Sequence, residues 1–235
     1  MRRLVLAMGT AVLLLGPHLA GVASAQETAV CGPPGGEVPA TIVGAGVING
    51  TSGDDVIVAS GGNDIVFAGG GNDFVCGEGG NDRLDGGKGA DTLIGDELDS
   101  APFDPSNGAN DDTLLGGPGD DTLAGLGGDD TMEGGPGADQ LIGMGGVDTM
   151  AGGPGDDTGF GGPLNDVMIG GPDNDTLFGN FGSDSISGGP GDDFIDGDNP
   201  FPSPPGGPPF PPGDNNDVCS GGPGANVVQN CESVS

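Results

Sequence analysis

The chain has no tryptophan and no tyrosine, and only one histidine and four basic residues among its 235. Bulky apolar side chains are also scarce, with nine phenylalanines against 55 glycines. A conventional close-packed core draws on more large residues than this, so the fold must take its stability from another source. The single histidine, His18, lies in an N-terminal stretch that reads as a removable leader. Without it the chain can build no Ser-His-Asp or Cys-His machinery and no imidazole metal site, and any catalysis would rest on carboxylates alone. The shortage of cations likewise excludes nucleic acid as a partner.

The leader has Arg2 and Arg3 as a positive start, an apolar stretch from Leu4 to Leu15, and Ala23-Ser24-Ala25 as a small-residue cleavage site. Its apolar run is interrupted by Gly16, Pro17 and His18 and falls short of the roughly 20 residues that span a bilayer. Residues 1–25 are therefore expected to be a Sec-type export signal. The mature chain is expected to begin at Gln26, to be secreted and extracellular, and to have no membrane span. Removal of the leader leaves Arg83 and Lys88 against 36 acidic residues, a formal charge of −34. A chain so charged repels itself, and a compact state requires cations placed close to the carboxylates.

What the chain has in abundance is a nine-residue period. Gly86-Gly87-Lys88-Gly89-Ala90-Asp91-Thr92-Leu93-Ile94 follows the pattern G-G-x-G-x-D-x-U-x, with U a large aliphatic residue. Residues 116–124, 134–142 and 188–196 repeat it with every defined position kept. In this register the sixth position holds Asp55, Asp64, Asp73, Asp82 and Asp91. A second block holds Asp112, Asp121, Asp130, Asp139, Asp148, Asp157, Asp166, Asp175, Asp184 and Asp193, and Asp217 follows a longer gap. The eighth position is aliphatic from Ile57 through Leu84, Leu114 and Leu141 to Ile195, failing only at Gly159.

Each position has a physical role. Glycines at the first, second and fourth places permit positive φ and leave room for carbonyls to converge on an ion. The aspartate offers a hard anionic oxygen, suited to a cation that takes six to eight oxygen ligands. Calcium is the abundant extracellular candidate. Positions seven to nine form a short strand whose eighth residue points inward while its neighbours point out. The threonines frequent at position seven, such as Thr92, Thr122 and Thr158, follow from β-propensity. They do not make an ice-binding face, because position nine is mixed.

The repeats resemble the RTX, or haemolysin-type, calcium-binding nonapeptide over roughly residues 50–230. The resemblance implies an all-β fold, a right-handed parallel β-roll (β-solenoid) with two nonapeptides per turn and calcium between successive loops. It implies that the sixth-position aspartates just named, together with loop carbonyls, hold multiple Ca2+ ions. About sixteen repeats would give about eight turns, a rod of roughly 40 Å at ~4.8 Å per turn. The family usually attaches such repeats to a toxin, protease, lipase or adhesin. This chain leaves no room for one, and it is read as a non-enzymatic, calcium-dependent structural or interaction module. Its partner, an extracellular protein or cell surface, is not identified by any motif. The alternatives are an adhesin-like role and a secretion or folding aid. Outside the register only Glu97, Asp99 and Asp104 cluster as acids to test for an enzyme. The leader and the glycine-, alanine- and proline-rich composition fit a bacterial exported protein.

Two insertions break the beat. About twelve extra residues fall near 96–107, and fifteen fall in the proline-rich run near 197–211, read as a solvated spacer. Residues 26–49 form an N-terminal cap segment in which 39–49 read as a shortened first repeat, and 50–235 form the β-roll with a C-terminal cap. Asn110 and Leu164 replace the fourth-position glycine, and Asp173 takes that place in its unit, so those sites are expected to be distorted or empty. The last unit, 221–229, carries Asn226 in place of aspartate, which suits a terminal repeat with one neighbour. Four cysteines in an exported chain suggest two disulfides with three connectivities open. Cys31–Cys76 and Cys219–Cys231 are favoured because each ties a terminal segment to the adjacent solenoid end.

Overall fold

A computed structural model describes residues 30–31, 38–96, 110–198, 217–231 and 233–234. The expected export signal, the acidic cluster at 97–104 and the proline-rich run lie outside the described residues. The described chain is a parallel β-solenoid with two ten-stranded sheets and no helix. From Ile42 onward successive strands alternate between the sheets, while Val30–Cys31 and Val38–Pro39 form a separate antiparallel pair. One sheet runs from Ile42–Val43 and Val56–Ser60 to Phe194–Asp196 and Val227–Gln229, the other from Val47–Asn49 and Ile65–Gly70 to Val218–Ser220 and Ser233–Val234.

The register follows the repeat. Thr122 pairs with Gln140, Thr131 with Thr149 and Thr158 with Thr176, each partner two nonapeptides further along. The insertions appear as jumps in this register, Arg83 pairing with Thr113 and Ser185 with Val218. Gly95 and Gly197 still stand as first-position glycines, packed over Asp112 and Asp217. The repeat therefore resumes in the same turn after each insertion, with the first position supplied before it and the aspartate after it. The first turn is the shortened one expected at 39–49, since Ile42 pairs with Ile57, only fifteen residues away.

The interior is one column of eighth-position side chains. Ile57, Val66, Val75, Leu84, Leu93, Leu114, Leu123 and Ile195 are all fully buried. Burial of each such side chain contributes about 1.5–3 kcal/mol. The gap at Gly159 is filled from its neighbours: a methyl group built there would lie 2.7 Å from Cε of Met168 and 3.0 Å from Cδ2 of Leu177. Outside the column, Val58, Cys76 and Ile94 form a second small cluster backed by Ala40, Val56 and Phe74. Cys219 and Cys231 form a disulfide with Cα atoms 6.0 Å apart. Cys76 is also disulfide-bonded; the side chain of its favoured partner, Cys31, lies outside the described residues.

The three conserved-looking glycines of a repeat serve two purposes. The second and fourth, such as Gly135 at φ 110° and Gly155 at φ 136°, adopt the left-handed region that side chains disfavour. The first does not. Its place is forced by close approach, because a methyl on Gly116 would sit 2.5 Å from Oδ2 of Asp121 and 2.6 Å from the carbonyl oxygen of Gly134.

Gly155→Ala is expected to lower stability by about 1–3 kcal/mol, since its methyl would fall 1.7 Å from the carbonyl oxygen of Gly137. Gly61→Ala, with no atom within 4 Å, should stay within about 0.5 kcal/mol of the parent. Urea unfolding in saturating calcium, with equal midpoints for the two variants as the contrary result, checks the pair.

Candidate metal centre

All sixteen sixth-position aspartates are buried, from Asp55 at 8 % exposure to Asp148 and Asp217 at 0 %. Each loop that carries one lies between a strand of one sheet and the next strand of the other, so the carboxylates stack in two files along the two edges of the solenoid. Within a file a backbone N–H orients each carboxylate. The N–H of Asp121 donates to Oδ1 of Asp139 at 2.8 Å, that of Asp139 to Oδ1 of Asp157 at 2.8 Å, and that of Asp112 to Oδ1 of Asp130 at 2.8 Å. Oδ1 is thus satisfied from the preceding turn.

Oδ2 is not. In every turn from Asp73 to Asp193 it is buried with no hydrogen-bond partner. From Asp82 onward it faces the first-position glycine of its own turn, commonly with a carbonyl of the next turn beside it. A methyl on Gly143 would lie 2.2 Å from Oδ2 of Asp148 and 2.6 Å from the Gly161 carbonyl oxygen; on Gly179, 2.3 Å from Oδ2 of Asp184 and 2.6 Å from that of Gly197. Two hard oxygens, one anionic and one carbonyl, therefore close on the same side of each turn. Among the described residues no three acidic, cysteine or histidine side chains gather as a metal-holding group. The donor set is accordingly carboxylate plus backbone carbonyl, which fits calcium and does not fit the nitrogen and sulfur sites of zinc.

The electrostatics agree. Burial, opposed by the backbone N–H on Oδ1 and reinforced by neighbouring aspartates, raises Asp82, Asp112, Asp121, Asp157 and Asp184 from 3.8 to about 7. Asp148 is also raised to about 7, and Asp130 and Asp166 to about 9. Ionising one carboxyl held at about 7 costs on the order of 4 kcal/mol more than ionising a free one. Two or three such groups match the ~5–15 kcal/mol that holds a whole domain folded. A divalent ion between turns would supply the missing charge.

Two of the three substituted turns keep the backbone shape of glycine. Leu164 and Asp173 adopt φ 86° and 85° in place of glycine. Asp112, Asp166 and Asp175 have the same unpartnered Oδ2 as their neighbours, so the distortion expected from the sequence does not reach the carboxylates. Asn226 differs as expected of a terminal unit. Its Oδ1 accepts from the N–H of Asp193 at 2.8 Å, and its amide donates to the Gly222 carbonyl at 2.9 Å, leaving nothing for a cation to satisfy.

One ladder was not read from the sequence. Fifth-position Asp and Asn side chains accept from the backbone of the following turn, as when the N–H of Val147 donates to Oδ1 of Asp129 at 2.9 Å and that of Asn174 to Oδ1 of Asp156 at 2.9 Å. Position five was left undefined in the pattern, although Asp or Asn recurs there from Asp54 to Asp192.

Together the solenoid and its two files of carboxylates define a cation-binding repeat module. The profile of the RTX calcium-binding nonapeptide repeat (4 copies) matches residues 43–75, 76–97, 106–141, 125–159, 133–168 and 169–199, well over half of the chain. The chain belongs to this RTX calcium-binding repeat family. A search of curated proteins found no match.

Asp130→Asn should reduce the number of bound calcium ions, and lose about 2.7 kcal/mol of stability at a hundredfold excess of calcium over Kd. Asp129→Asn, whose Oδ1 serves only the fifth-position ladder, should leave the ion count unchanged. Equilibrium dialysis of both variants distinguishes the two rows, and equal counts would contradict the assignment.

A dependence on pH follows for the metal-free protein. Carboxyls held at about 7 to 9 when folded, and near 3.8 when unfolded, bind more protons in the folded state. Their stabilising contribution is complete below pH ~4 and is lost as the pH rises to ~9. In chelator, the β signal in far-ultraviolet circular dichroism should therefore grow as the pH falls from about 9 to about 5. A signal constant over that range would show that these carboxyls are not buried without metal.

Proposed function

We propose that this protein is exported after removal of residues 1–25 and acts outside the cell as a calcium-binding structural or interaction module that folds as ions fill its turns. The division proposed is a cap segment at 26–49 and a β-roll over 50–235, with Ca2+ held by the aspartate row from Asp55 to Asp217 and loop carbonyls. The observation that carries the reading is the repeated, buried and unpartnered Oδ2, at Asp73 through Asp193. While these carboxylates are ionised, their bare oxygens oppose folding until an external cation arrives, so binding energy is also folding energy.

An interaction role draws support from the outward face of the second sheet, where Val47, Ile65, Phe67, Val167 and Ile169 are exposed. That face also carries Arg83, Asp85 and Glu133, and its apolar side chains cluster toward the strands at 47–49, 65–67 and 167–169, where a partner would meet it. The described residues contain no helix long and apolar enough to cross a membrane.

Circular dichroism of the mature chain during a calcium titration, with magnesium as the control, tests the reading. A cooperative change from coil to β near the ~10⁻⁴ to 10⁻³ M range of extracellular modules is expected with calcium and not with magnesium. A chain that stays unfolded at every calcium concentration would overturn it.

A further inference from the structure

The aspartate row is not uniform, and its first two members break the rule that the others obey. Oδ2 of Asp55 accepts from the N–H of Thr51 at 2.7 Å and from its hydroxyl at 2.8 Å. Oδ2 of Asp64 accepts from the N–H of Ser60 at 2.9 Å and from its hydroxyl at 2.8 Å. The other oxygens are served too, that of Asp55 by the Thr41 hydroxyl at 3.4 Å and that of Asp64 by the N–H of Gly46. These two carboxylates have protein donors where the later ones have none.

The backbone explains the difference. In later turns the second-position N–H points along the solenoid, as when Gly117 donates to the Gly134 carbonyl and Gly135 to that of Gly152, both at 2.8 Å. In the first two turns the second residue carries a hydroxyl, and its N–H and O–H both turn onto the aspartate of the same loop. The first position does not account for it, since Gly50 stands there in the turn of Asp55 while Ala59 and Ala68 stand there in the turns of Asp64 and Asp73, and Oδ2 of Asp73 is bare. The hydroxyl at the second position is what sets the first two turns apart.

This end also has apolar contacts that the middle lacks. Ile48, Val58, Ala59, Ala68 and Cys76 are buried in addition to the eighth-position column, whereas most later strands contribute a single buried aliphatic. Cys76 is disulfide-bonded. Hydrogen bonds and apolar burial thus coincide where the demand for a cation is missing, and the covalent tie at Cys76 sits on the next strand of the same sheet, paired with Val58.

We infer that the end of the solenoid from Thr41 to Asp64 folds without metal, that Asp55 and Asp64 are hydroxyl-capped carboxylates and not ion ligands, and that this end is the template on which calcium orders the remaining turns. The inference rests on the calcium-coupled folding proposed above and narrows its ligand row to begin at Asp73.

Hydrogen exchange of the full mature chain, followed by mass spectrometry in chelator and in calcium, tests it. Peptides within 42–66 should exchange at least tenfold more slowly in chelator than peptides within 113–195, and calcium should slow chiefly the latter. Exchange of 42–66 as fast as the rest in chelator would overturn the inference while leaving calcium coupling intact. Protection of every segment in chelator would overturn the coupling and the template with it. Ion counting adds a second readout: the double variant Asp55→Asn, Asp64→Asn should bind as many calcium ions as the parent, and a lower count overturns the assignment. Ser60→Ala should speed exchange of 42–66 in chelator without changing the ion count, and unchanged exchange there would contradict the role given to its hydroxyl.

Discussion

Everything in this molecule depends on how a carboxylate oxygen is satisfied away from water. A repeat that buries one aspartate every nine residues, each within a turn's rise of the next, sets like charges in files and removes the solvent that would screen them. The backbone answers half of the demand by donating an N–H to Oδ1, as Asp166 does to Asp184 at 2.8 Å. The other oxygen has no internal partner through most of the chain. A thin core of single aliphatics does little against that deficit, which is the physical ground for the proposal that fold and cation are parts of one equilibrium.

The loops show how the sequence meets this constraint at close quarters. Glycine at the second and fourth places supplies backbone conformation, and at the first place it supplies space. These are separate requirements, and substitution follows the difference. Leu126, Met144 and Asn180 occupy second positions and Leu164 a fourth, all with positive φ, whereas the first position admits nothing larger than alanine in any described turn. Left-handed strain of ~1–2 kcal/mol can be carried by the surrounding ladder, but a side chain placed against two oxygens and a backbone cannot.

Much of this was legible in the sequence because a period is visible without coordinates. The two sheets, the inward column from Ile57 to Ile195, the size of both insertions and the neutral end at Asn226 all follow from counting in nines. Direction was not legible. Nothing in the spacing distinguishes Oδ1 from Oδ2, so it did not show that Asp139 has one oxygen held and one bare, or that Thr51 and Ser60 turn inward while the equivalent Gly117 does not. The fifth-position ladder was missed because Asp and Asn share it with Ala and Val, and a pattern built on invariant residues leaves such a place blank. Leu164 and Asp173 misled for the opposite reason: a departure from glycine changes the side chain at the surface and leaves the turn beneath it as it was.

The same asymmetry gives the solenoid a direction. Each carboxylate takes its orienting N–H from the turn before it, Asp121 serving Asp139 and Asp139 serving Asp157. A turn added at the C-terminal side therefore finds its donor already fixed, whereas one added at the N-terminal side must present a carboxylate that nothing yet holds. In a linear array whose units contact only their neighbours, growth proceeds from whichever end is ordered first. The end with hydroxyl-capped aspartates, the second apolar cluster and a disulfide is the N-terminal one, and it is also the end whose backbone donors face the next turn. On the proposed template, order at that end would create the half-built site that a calcium ion completes, and each completed site would fix the N–H on which the following aspartate depends.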